Sequence, residues 1–138
     1  MMDKSLVLRK LTELDLLREQ LGEYRNESEE TYQSDWKTQR IVERTLQLMI
    51  EVCADIANHI IAEKQLTVPT GYAHAFEVLG QAGLLSRELT AMMANVAKFR
   101  NILVHQYTRI DAAIVISILH QRLDDFVSFR NEIVKLLK

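Results

Sequence analysis

The sequence predicts an all-α fold: an antiparallel up-and-down bundle of about five helices, forming one domain over residues 1–138. Three observations carry that prediction. Apolar residues recur at steps of three and four along most of the chain, and no run alternates with the two-residue period of a half-buried strand. The only proline stands beside a glycine in "VPTG" at residues 68–71, so the strongest break falls between periodic segments and not within one. Length and composition agree. A chain of 138 residues, 48% hydrophobic and 26% charged, suits a single soluble domain with one core.

The first helix is set by Val7, Leu11, Leu14, Leu17, Leu21 and Tyr24, which share a face, and it stops near "RNESEE". The second carries Val42, Leu46, Met49, Cys53, Ile56 and Ile60, with Ile41, Leu48 and Val52 widening the stripe until the helix reads as buried on two sides. After the Pro69 break, "YAHAFEVLG" forms a short helix with Tyr72, Phe76 and Leu79 inward, ending near Gly80 or Gly83. Ser86 is placed to cap a fourth helix with the stripe Leu89, Met92, Val96, Phe99 and Leu103. Asp111 is placed to cap the last, which carries Val115, Leu119, Leu123, Phe126, Ile133 and Leu137. There is no repeat and no low-complexity segment.

Several function classes fall away at this point. "MMDKSLVLRK" lacks the apolar core and small-residue cleavage site of a secretory signal, and no segment reads as long and apolar enough for a bilayer, so a cytoplasmic protein is expected. Cys53 is the only cysteine, which excludes an internal disulfide and a thiol-rich zinc site; on its apolar stripe it reads as a small buried hydrophobe. His59, His74, His105 and His120 are scattered without paired ligand spacing, so no metal is expected. Gly-rich phosphate loops and nucleophile elbows are absent. The net charge of -2 argues against a surface that clamps nucleic acid everywhere. Locally the balance differs: Lys98, Arg100 and Arg109 fall in a segment without acids, whereas residues 19–35 hold Arg25 against six acids.

One stretch stands apart, "FRNILVHQYTR", beginning at Phe99. It gathers a proton-transfer group and phosphate-binding side chains, with Lys98 just before it. On a continuous helix, the five residues from Arg100 to His105 correspond to about 140° of rotation. The two side chains therefore converge only if the helix ends between them or a second copy completes the site. A plainer role also fits: an Arg and a His near a helix end can cap carbonyls or pair with a carboxylate of another helix.

Arg100, His105 and Tyr107 make the pattern RxxxxHxY, here "RNILVHQY", with Asn101 following the arginine. In a helical chain of this length the pattern resembles the HEPN superfamily (higher eukaryotes and prokaryotes nucleotide-binding), and more closely the HepT toxins of the HepT and MntA toxin-antitoxin pairs. The likeness covers most of the chain. "ERTLQLMIEVCADIANHII" resembles the family's long second helix, and "VPTGYAHAFEVLGQAGLL" the segment leading to its motif helix. The resemblance implies a metal-independent endoribonuclease without a cofactor, working as a homodimer whose two motifs face one cleft. It also implies a nucleotidyltransferase antitoxin that silences the toxin by AMPylating the motif tyrosine. Carried over by position, Arg100 and His105 are catalytic, Asn101 supports them and Tyr107 is the modified residue. Lys98 and Arg109 are candidates for holding RNA phosphate. A non-catalytic RNA- or nucleotide-binding subunit of a nucleotidyltransferase is the competing expectation.

Overall fold

The computed structural model describes residues 3–106, 108 and 110–138. Among these residues the regular structure is all helical, with seven helices and no strand: α1 (Lys4–Gly22), α2 (Glu29–Ser34), α3 (Trp36–Glu63), α4 (Tyr72–Gln81), α5 (Arg87–His105), α6 (Ala112–Gln121) and α7 (Leu123–Leu136). The all-α expectation holds, and the count of about five is corrected to seven.

The two extra helices have local causes. α2 is one and a half turns long, too short for an apolar period to appear, and only its Tyr32 is buried. Its ends are made by side chains: Ser28 accepts from the Thr31 amide, and Asp35 closes α2 while its carboxylate accepts from the amides of Lys37 and Thr38 to start α3. The predicted last helix breaks at Arg122, whose φ of -115° leaves the helical range. Leu119, Leu123 and Phe126 keep helical spacing across the break, so the sequence gives no sign of it. The bend lets α6 cover α2 while α7 closes against α5 and α1.

α3 is the centre of the bundle. Its apolar stripe is wide enough to pack against α1 on one side and α4 and α5 on the other, with Leu46, Met49, Ile50, Cys53 and Ile60 fully buried. Each such side chain contributes roughly 1.5–3 kcal/mol on leaving water. By length and composition α3 could cross a membrane, contrary to the reading that no segment approaches that length, yet 56% of its most apolar window is packed inside the bundle. Burial pushes the Cys53 thiol well above its ordinary range, in keeping with a core role.

α5 starts where expected. Ser86 Oγ accepts from the Leu89 amide at 3.2 Å, and Glu132 of α7 takes hydrogen bonds from both the Ser86 amide and its hydroxyl. Along α5, Met93 is fully buried beside Leu89, Val96, Phe99 and Leu103, whereas Met92, predicted on that stripe, is only half-buried at a groove toward α6. α4 meets α5 closely at Gly80, where an added Cβ would overlap the Thr90 side chain. Gly83, with φ of +76°, ends the α4 segment, as its left-handed backbone requires.

Candidate catalytic site

Arg100 faces inward from α5 and is held on two sides. Its Nε and Nη2 both donate to Glu51 Oε2 of α3, at 2.9 and 2.6 Å, and its guanidinium carbon lies 4.5 Å from the centre of the Tyr72 ring at the start of α4. Glu51 is in turn fixed by Gln47, one turn earlier, whose Nε2 donates to the same oxygen at 3.0 Å. Burial alone would push the Glu51 carboxyl up. The Gln47 amide and the hydrogen bonds and charge of Arg100 outweigh it, so Glu51 stays below the ordinary carboxylate range and ionised.

The plain reading of the arginine as a partner for another helix's carboxylate is thus realised, and it does not use up the group. A guanidinium has five N–H donors. Two go to Glu51, and Nη1 donates to Asn101 Oδ1 over 3.5 Å. The rest of the fork remains available, on a side chain 15% exposed whose plane is fixed by the aromatic ring below and the carboxylate beside it.

His105 is the last residue of α5; it is exposed and makes no side-chain hydrogen bond among the described residues. The helix runs unbroken through it and is closed by Gln106, whose amide donates to Ile102 carbonyl. The possibility that the helix ends between Arg100 and His105 is therefore overturned. The two lie about 140° apart around one axis and about 7.5 Å along it. Within a single chain they do not converge.

The unbroken helix does unite other residues. Lys98, Asn101 and His105, at steps of three and four, share one exposed face of α5. Tyr107 and Arg109 lie outside the described residues. Among the described residues no three His, Cys, Asp or Glu side chains are grouped so that they could hold a metal ion.

The sequence reading missed Glu51, Gln47 and Tyr72. The only linear signal was the Gln47 and Glu51 pair, one helical turn apart on the flank of the α3 stripe. It also described Arg100 by an acid-free neighbourhood, which the packing of α3 reverses. Near the motif's end, Arg40, Glu43, Arg44 and Gln47 of α3 and Leu103 and Val104 of α5 line a cavity of about 280 Å³.

Such an arrangement can orient a phosphate on a pre-set guanidinium and offer an imidazole to move a proton. Comparison with known proteins bears on which chemistry that is. A family model described as "Ribonuclease HepT-like" matches residues 13–133. The chain is 34% identical over 98 residues to the mRNA nuclease HepT of Shewanella oneidensis, covering 71% of this chain and 74% of that protein. It is 35% identical over 91 residues to the tRNA nuclease HepT of Aphanizomenon flos-aquae, covering 66% of this chain and 62% of that one. Among solved structures it is similar to the tri-AMPylated HEPN toxin of Shewanella oneidensis in complex with its MNT antitoxin. The TM-score there is 0.86 at 27% identity, with 99% of both chains covered.

Proposed function

Because the chain belongs to the HepT-like ribonuclease family, we propose that it is a metal-independent endoribonuclease toxin, acting as a homodimer in the cytoplasm and restrained by a nucleotidyltransferase antitoxin. The observation that carries this reading is the held guanidinium. Arg100 is oriented by Glu51 and Tyr72 with N–H donors left over, on the same helix as an unengaged His105.

The chemistry follows from RNA itself, which carries a nucleophile in each 2′-hydroxyl. His105 accepts the 2′-hydroxyl proton as the oxygen attacks phosphorus, a 2′,3′-cyclic phosphate forms, and the P–O5′ bond breaks with a proton returned to the leaving oxygen. Negative charge grows on the phosphorane oxygens, where the open donors of Arg100 meet it. The 140° between Arg100 and His105 gives the dimer a chemical purpose: a second α5 facing the first brings the imidazole of one copy to the guanidinium of the other. Two histidines at one phosphate then serve as base and acid. Asn101 steadies Arg100 through its Oδ1, and Lys98 and Arg109 attract the flanking phosphates.

Tyr107, two residues beyond His105, is the switch in this reading. Transfer of AMP from ATP to its hydroxyl by the antitoxin, with release of pyrophosphate, adds a bulky anion two residues from His105, which fills the cleft and repels RNA phosphate.

The test is direct. Purified without its antitoxin, the chain cuts RNA in excess chelator and leaves 2′,3′-cyclic ends. Equal cutting by wild type and His105→Ala would end the catalytic assignment. RNA binding without cutting would favour a binding subunit instead. Incubation with the nucleotidyltransferase and ATP adds mass in AMP increments, which Tyr107→Phe abolishes.

A further inference from the structure

The face of α3 that leads to Glu51 is basic and starts at an exposed aromatic. Lys37, Arg40, Arg44 and Glu51 fall within one narrow arc of the helix, with Gln47 at its edge, so the stripe runs straight to the carboxylate that holds Arg100. Trp36, the first residue of α3, is 65% exposed, and the Lys37 ammonium lies 5.9 Å from its ring centre. From Trp36 to Glu51 the helix rises about 22 Å.

The stripe lies along the motif. Arg40, Glu43 and Arg44 form one wall of the cavity whose other wall is Leu103 and Val104, and Arg40 and Glu43 also line a depression with Tyr32, Gln39, Thr108 and Ile110, just past the motif. Part of its charge is answered: Arg40 pairs with Glu43 at 3.3 Å, and Asp35, which accepts from the Lys37 and Thr38 amides, stands beside Lys37. Glu51 is taken up by Arg100. Lys37 and Arg44 make no ion pair among the described residues.

A lone exposed tryptophan would need no explanation. A flat aromatic at the head of a cationic stripe that ends at a guanidinium is different: it combines the two elements by which proteins hold single-stranded nucleic acid, a stacking platform and a groove that follows the phosphates. We propose that the Trp36, Lys37, Arg40 and Arg44 face of α3 is an RNA track. It carries the strand on one side of the scissile phosphate, with an unpaired base stacked on Trp36. The destination of the strand rests on the ribonuclease reading; the track itself is tested by binding alone.

The experiment uses the full chain carrying His105→Ala and a fluorescent 2′-O-methyl single-stranded RNA, which has no nucleophile to react. Adding Trp36→Ala weakens binding about 5- to 150-fold, the range expected for one stacked base, and Trp36→Phe restores most of it. Lys37→Ala and Arg44→Ala each reduce the slope of log affinity against log salt by about 0.7, whereas Lys135→Ala on α7 does not. Unchanged RNA binding in all three track variants overturns the proposal. If these variants instead lose only their complex with the nucleotidyltransferase, the face docks protein and the RNA track is wrong. Wild-type cleavage in chelator is scored separately: cutting with an inert track sinks only this inference, and an active track without cutting sinks only the nuclease reading.

Discussion

Glu51 holds Arg100 inside the bundle whereas His105 stands exposed at the end of α5, so substitution should separate a structural loss from a chemical one. His105 is exposed and packs against nothing that needs it, so His105→Ala should leave the melting temperature within a degree or two while lowering cleavage about 10²- to 10⁴-fold, the usual range for a positioned proton-transfer group. Glu51→Ala leaves a largely buried guanidinium without its partner and should cost about 1–3 kcal/mol in urea unfolding. Glu51→Gln keeps an acceptor and loses the charge, so cleavage should fall in the order wild type, Gln, Ala. The pH dependence has a definite sign. The Glu51 carboxyl is held below its ordinary range in the folded state, so it stabilises the fold fully above its unfolded pKa of about 4.3. That contribution disappears as pH falls through the lower folded value. Stability of wild type and Glu51→Gln should therefore differ at pH 7 and converge in acid. Equal stability at pH 7 would show that the pair contributes nothing net.

At the scale of helices, the site depends on how closely α4 and α5 meet. Tyr72 begins α4, and the Gly80 and Thr90 contact sets the distance between α4 and α5, so the ring under Arg100 is positioned in part by a glycine two turns away. Thr90 is poorly placed to yield, since its hydroxyl donates to Ser86 carbonyl at 2.7 Å. Gly80→Ala should cost about 1–3 kcal/mol by overpacking and weaken cleavage as well, measured by thermal melts and initial rates. The break between α6 and α7 has its own cost. Asp125, in the first turn of α7, is 7% exposed with one carboxylate oxygen unpartnered among the described residues. Burial raises its carboxyl above the ordinary range. A raised acid stabilises the fold only below its unfolded pKa and opposes it as pH rises, so Asp125→Asn should melt higher than wild type at pH 7 and lose that advantage near pH 4.

For the whole molecule, the proposed function makes assembly part of the chemistry, because Arg100 and His105 stand about 140° apart on α5. If the two act across copies, a mixed pair of Arg100→Ala and His105→Ala chains, co-expressed and purified through two tags, keeps one intact His105 facing one intact Arg100 and should regain part of the cleavage, above the His105→Ala homodimer, which has no imidazole, and the Arg100→Ala homodimer, which has no guanidinium. Mixed pairs of confirmed dimer mass that cut no faster than either parent would count against one His105 and one Arg100 sufficing across copies. What the sequence could settle follows from range. Helical period, the Ser86 and Asp111 caps, the buried Cys53 and the polar cluster around Arg100 are local: each depends on residues within a few positions, and each is readable along the chain. The short α2 escaped because one and a half turns carry no period, and the Arg122 bend because apolar spacing continues through it. The pairing of Arg100 with Glu51 joins residues 49 apart, and the ring of Tyr72 arrives from a third helix. No spacing rule connects them, since their approach is fixed by how side chains fill the space between α3, α4 and α5. Read along the chain, Arg100 and His105 stand out as residue types suited to a phosphate; the packing of α3, α4 and α5 sets which way Arg100 points and which partners hold it.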